Sequence, residues 1–148
     1  MKILAIDPGE NIGYAVFEGS VLKDFGVVKC TKPKLPELYV WTSTLATDFD
    51  IVVIERYMIR PQKAGGFDHS WNSGLTLQVI GTIKGWAAQH GIAWHEQNSD
   101  ILTPAHSWVY GKPYKKKKGD HWLSAMLHGV YYHVNTLKEP ISAFRSSS

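Results

Sequence analysis

Ile51-Val52-Val53-Ile54 is an unbroken run of β-branched residues. Such side chains lose χ1 freedom in a helix and pack well on a pleated sheet. A strand without polar alternation must be covered on both faces, as a central strand is in a parallel pairing. A chain with such a strand needs helical layers on either side, so the run commits these 148 residues to an α/β arrangement. A second apolar run, Ile3 to Ile6, stops at Asp7-Pro8-Gly9, and the central run stops at Glu55. Each run therefore delivers a carboxylate at a strand end, and neighbouring strands would make the two acids converge. The alternative is that each acid marks a solvated strand end.

The remaining pattern supplies the other layers. Asn11 to Phe17 and Val21 to Lys29, separated by Glu18-Gly19-Ser20, predict an antiparallel hairpin and, with the first run, a meander. Leu38, Trp41, Leu45 and Phe49 recur at helical spacing after Pro36, which predicts a helix from Leu35 to Phe49. Leu75, Val79, Ile83 and Trp86 predict another from Gly74 to His90, with Gly91 as its stop, followed by a short strand from Ile92 to His95. Ser99 or Asp100 caps a helix through about Val109, and a final helix runs from Asp120 to Val134. From Arg56 to Ser73 the pattern breaks into a long loop, a length that in compact domains marks function or disorder. The expected whole is a single domain over residues 1–148 with a mixed five-stranded sheet flanked by helices, frayed from about residue 138.

Composition narrows the class further. No apolar stretch approaches the ~20 residues of a spanning helix, so no membrane partner is expected and a soluble, cytoplasmic protein is. Cys30 stands alone and cannot form an internal disulfide; it reads as a small buried apolar residue. The formal charge is +3, yet Lys112, Lys115, Lys116, Lys117 and Lys118 fall within seven residues, and without them 11 basic residues face 13 acidic ones. The basic character is local, as a phosphate-binding segment would be, although a run of lysines also serves as a solvated connector. Six Trp, seven Tyr and five Phe would suit base stacking or a core equally well.

Asp7-Pro8-Gly9 followed by Asn11-Ile12-Gly13-Tyr14-Ala15-Val16 resembles the opening of RuvC-type Holliday-junction resolvases, in which the first strand ends in Asp-Pro-Gly before a glycine-bearing second strand. Val53-Ile54-Glu55 resembles the second acidic strand of that family. Gln78-Val79-Ile80-Gly81 with Gly85 resembles its glycine-bearing helix, and Asp120-His121-Trp122-Leu123-Ser124-Ala125 with His128-Gly129 resembles its C-terminal helix. The resemblance runs through nearly the whole chain, and spacing and size look closest to phage-type members. It implies a ribonuclease H-like fold, a homodimer, a Mg²⁺ or Mn²⁺ cofactor and cleavage of four-way and branched DNA. For a phage-encoded chain, the compartment would be the host cytoplasm.

The resemblance also implies the site: Asp7 and Glu55 as catalytic metal ligands, His121 as a metal ligand or a group that handles a proton, and a further acid just before Ala125. That position holds Ser124, a neutral and weaker ligand for a hard cation. Asp120, four residues earlier on the same helical face, can supply the missing charge or simply cap the helix. The serine is otherwise an inactivating change, introduced or inherited. His128 and His133 align with no site position of the family and read as ordinary helix residues.

For DNA contacts, the candidates are Lys112, Lys115, Lys116, Lys117 and Lys118 beside the last helix, with Arg56, Arg60, Lys63, Phe67 and Trp71 in the long loop. By analogy with the family, Phe67 or Trp71 would be a wedge at the junction centre; a ring folded back on the core is the alternative. The functional expectation is an endonuclease that resolves Holliday junctions, leaving 5′ phosphate and 3′ hydroxyl ends. Its rivals are a catalytically silent junction binder and a ribonuclease H-like enzyme acting on another nucleic acid.

Overall fold

The computed structural model describes residues 1–9, 11–29, 35–57 and 71–145. Five strands, β1 (Lys2–Asp7), β2 (Asn11–Glu18), β3 (Val21–Lys29), β4 (Ile51–Glu55) and β5 (Ala93–Gln97), form one sheet in the order β3-β2-β1-β4-β5. β1, β2 and β3 are antiparallel, with a two-residue turn at Gly19-Ser20 whose positive φ of 58° at Gly19 suits a hairpin. β4 lies parallel to β1 and to β5, which makes the β-branched run the central strand that its composition requires.

Helices α1 (Leu35–Thr44) and α2 (Trp71–Gln89) cover one face; α3 (Leu102–Tyr110) and α4 (His121–Tyr131) cover the other. Alternation along the strands divides the core. Leu4, Ile6, Val52 and Ile54 pack with Leu38, Leu75, Val79 and Ile83, whereas Ile3, Ala5 and Val53 pack with Ala105, Ala125, Leu127 and Val130. Both faces of β1 and β4 are therefore buried in apolar contacts, the largest favourable term available to a chain of this size.

Several boundaries differ from the periodicity. The first helix ends at Thr44 rather than Phe49, because the hydroxyls of Thr42, Ser43 and Thr44 donate to the carbonyls of Tyr39, Val40 and Trp41 and compete with continued helical bonding. Phe49 is still buried, edge-on to Trp86. Helix α2 begins at Trp71, inside the segment expected to be loop. β5 runs to Gln97, two residues past the expected end, and α4 passes into a π-helical turn, Tyr132–Thr136. Beyond residue 138, where fraying is expected, a 3-10 turn (Ile141–Ala143) leads to Phe144, whose ring packs against Phe17 and His133.

The approach of α4 to the sheet is set by missing side chains. A Cβ on Gly13 would lie 1.9 Å from the His121 carbonyl oxygen, and one on Gly129 would lie 2.3 Å from the Phe17 ring. Gly13 is also the partner of Asp7 in the β1–β2 register, so this contact lowers the start of α4 onto the end of β1. Gly13→Ala should lift α4 and cost about 1–3 kcal/mol, the usual penalty for overpacking. In urea unfolding this would appear as a lower midpoint at unchanged slope; a midpoint equal to wild type would contradict the close approach.

Candidate active site

Ile6 pairs with Ile54 in the parallel β1–β4 ladder, so the next residues, Asp7 and Glu55, stand side by side at the carboxyl ends of adjacent strands. Adjacent strands lie about 4.8 Å apart, close enough for the charges to interact. Both carboxylates are largely buried, with side-chain exposures of 15% for Asp7 and 22% for Glu55. Burial pushes the Asp7 carboxyl above its ordinary value of 3.8, and the Glu55 charge adds to the effect; contact with His121 opposes both without cancelling them. His121 Nδ1 sits 3.5 Å from Asp7 Oδ2, and this contact raises the imidazole above its ordinary 6.5 despite partial burial.

α4 presents His121, Ser124 and His128 to this end of the sheet, at positions i, i+3 and i+7 of one helical face. The Ser124 hydroxyl donates to Glu55 Oε2 at 3.3 Å, and His128 Nε2 meets the same oxygen at 2.8 Å. Gln97, paired with Glu55 across β4 and β5, places its Oε1 2.9 Å from His128 Nδ1. Ser124, His128 and Gln97 are 3%, 0% and 6% exposed, so these contacts are shielded from water. His128 thus belongs to the site, although its sequence context marks it as an ordinary helix residue. The available signal was its spacing, one turn after Ser124 and two after His121.

The other candidates fall into separate groups. Asp120 occupies the N-cap position of α4 but makes no side-chain capping bond. It lines a hollow with Lys112, Lys115, Lys117 and Trp122, on the flank of the acidic pair. A second hollow of about 610 Å³ is lined by Asn11, Val27, Lys116, Lys117, Lys118, Gly119 and His121, which puts the lysine run against the site histidine. The run is anchored at its start: His106 Nδ1 lies 2.6 Å from the Lys112 carbonyl oxygen, and the Tyr114 ring packs edge-on to His106. Burial, together with Asp120, Asp7 and Glu55, pushes the Tyr114 hydroxyl up, which keeps it a proton donor. Arg56 follows Glu55 directly and pairs through Nε with Glu96 at 3.3 Å, beside the Lys84–Glu96 ion pair. Arg60, Lys63, Phe67 and the Trp71 side chain, like Cys30, lie outside the described residues.

Among the described residues, no group of three or more His, Cys, Asp or Glu side chains is placed to hold a metal ion. Mg²⁺ does not require one, since it is commonly held by one or two carboxylates together with water and substrate phosphate. A divalent cation between Asp7 and Glu55 would relieve the burial and repulsion that raise the Asp7 carboxyl, so the donor set suits a hard cation.

Comparisons with known proteins agree on the architecture. Neither a family model nor a curated protein matches the sequence. Among solved structures, RuvC of T. thermophilus in complex with a Holliday junction substrate is similar at TM-score 0.60 and 16% identity, over 92% of this chain and 97% of that one. The Holliday junction resolvase of fowlpox virus is similar at TM-score 0.56 and 18% identity, over 92% and 99%. A second Thermus thermophilus RuvC structure gives TM-score 0.54 and 15% identity, over 92% and 98%. The chain therefore has the ribonuclease H-like fold in the form found in RuvC-type resolvases.

A carboxyl raised by folding costs stability once it is ionised. The penalty is absent below 3.8, grows as pH rises through the raised folded value, and is complete above it. His121, raised in the fold, stabilises at low pH and loses that contribution as pH rises through its own folded value. In chelator at about pH 9, Asp7→Asn should therefore melt at a higher temperature than wild type, and the gain should vanish as pH approaches 3.8. A lower melting temperature at the alkaline end would refute an uncompensated Asp7 charge.

Proposed function

We propose that this protein is a metal-dependent endonuclease that cuts four-way and other branched DNA as a homodimer. The observation that carries the reading is the side-by-side placement of Asp7 and Glu55 under His121, with the Lys116 to Lys118 hollow alongside. The solved structures of like fold include a RuvC with a Holliday junction substrate and a viral Holliday junction resolvase, and this supports the same substrate class here.

Asp7 and Glu55 would hold Mg²⁺ or Mn²⁺, with His121 beside them. When bound, the ion would neutralise charge on the phosphoryl oxygens and lower the pKa of the attacking water. Hydrolysis adds that water's oxygen to phosphorus and releases the 3′ oxygen with a proton, leaving 5′ phosphate and 3′ hydroxyl ends. His121 has Nδ1 turned to Asp7, so Nε2 is the ring atom that would hold a proton toward substrate. Lys115 to Lys118 would fix the flanking phosphates without reading bases. Each small domain offers one acidic pair, and a twofold dimer would present two to strands of matching polarity, as symmetric resolution requires.

A second reading, a junction binder that does not cut, is favoured by one observation: Ser124 provides a hydroxyl donor to Glu55 in place of a carboxylate. A labelled four-way junction in Mg²⁺ or Mn²⁺ separates the two readings. Wild type should cut it at paired positions, and Asp7→Asn should bind without cutting. If only Ser124→Asp cuts, the chain is the binder. If no form prefers junctions to linear duplex, the resolvase reading fails, and cleavage of an RNA–DNA hybrid alone would replace it with a ribonuclease. Alanine at Lys115 to Lys118 should weaken binding and reduce the salt-log slope by ~0.9 per lost phosphate contact.

A further inference from the structure

Among the described residues, Glu55 is held from one side only. Its Oε2 receives the Ser124 hydroxyl at 3.3 Å and His128 Nε2 at 2.8 Å, and both donors lie on α4. A carboxylate oxygen has two lone-pair directions, so Oε2 is saturated, while Oε1 meets no donor among the described residues. A cation cannot approach an oxygen already facing an N–H and an O–H without displacing them. His128 and Ser124 are almost wholly buried, and the close seat of α4 on β2 at Gly13 and Gly129 leaves little room for such a displacement.

Gln97 completes the arrangement. Its Nε2 is buried without a hydrogen-bond partner while its Oε1 faces His128 Nδ1 at 2.9 Å. An amide turned the other way would donate to Nδ1 and leave the ring proton on Nε2, directed at Glu55. In the orientation shown, Nδ1 would donate to Gln97, and donation from Nε2 to Glu55 would then need a proton on both ring nitrogens, so the turned amide is the one that suits a singly protonated ring. In both cases a cross-strand neighbour of Glu55 fixes the plane of the ring that orients it.

We propose that His128 is a positioning residue which, with Ser124 and Gln97, holds Glu55 by Oε2, so that Asp7 and Glu55 would together hold a single divalent cation. This rests on the metal-dependent reading of the site and deepens it. Nucleases with two metals keep the ions about 3.5–4 Å apart and need negatively charged oxygens around both. The α4 side of Glu55 presents a hydroxyl and an imidazole instead. The further carboxylate expected just before Ala125 is absent at Ser124, and Oε2 of Glu55 is already engaged.

Calorimetric titration of the full chain with MnCl₂, without DNA, reads the stoichiometry independently of cleavage. Wild type should bind one Mn²⁺ per chain. His128→Gln keeps an N–H donor near the Nε2 position and should also bind one. The double variant Ser124→Asp/His128→Ala frees Oε2 and adds a carboxylate, and it should bind two. Two ions in wild type, or two in His128→Gln, would overturn the proposal. So would one ion in a double variant shown by its thermal melt to be folded; if that variant does not fold, the wild-type and glutamine stoichiometries decide. Absence of binding in wild type would overturn the metal reading itself, an outcome distinct from the count of two that defeats only this inference.

Discussion

The parallel pairing of β1 with β4 is the constraint on which the rest depends. It brings Asp7 and Glu55 to one end of the sheet and buries both strands on two faces, so like charges are forced together at an edge of low polarity. Apolar packing along Ile3 to Ile6 and Ile51 to Ile54 supplies the force that holds them there. The raised Asp7 carboxyl records the cost of that placement. A neutral pair at the same positions would leave the fold intact and remove the cost.

The groups answering that negative charge come from one helix and the segment before it. α4 meets β2 at two glycines, and this contact sets how far its His121, Ser124 and His128 reach over the strand ends. The lysine run is held at Lys112 by His106 and carried past Tyr114 to the start of α4. The net charge of +3 therefore conceals a local separation, with an acidic pair at the strand ends and a lysine-lined hollow that reaches His121, the residue in contact with Asp7. Lysines gathered in this way suit the anionic oxygens of a phosphate backbone.

The site also shows what replaces a missing acid. Ser124 alone is a weak substitute, but Ser124 with His128 one turn later gives two donors to one oxygen of Glu55. Gln97 braces the imidazole from the neighbouring strand. Asp120, which the helical spacing offers as a replacement, lines a hollow with Lys112, Lys115 and Lys117. One turn toward the C-terminus rather than the N-terminus decides the difference, because α4 lies deeper against the sheet beyond Ser124 than at its start.

Much of the architecture was legible in the sequence. Two apolar runs ending on carboxylates, a glycine-bearing hairpin and helical spacing on either side were enough for the five-stranded mixed sheet, because burial and period are local properties of the chain. Helix ends were less legible where serine and threonine hydroxyls compete with the backbone, as at Thr42 to Thr44. By itself the sequence determined the fold class, the two acids and the position of His121. Only the tertiary structure decided that His128 and Gln97 join them. His128 lies 73 positions from Glu55 and 31 from Gln97, and their meeting depends on how α4 turns and how closely it seats, which follows from packing across the whole domain.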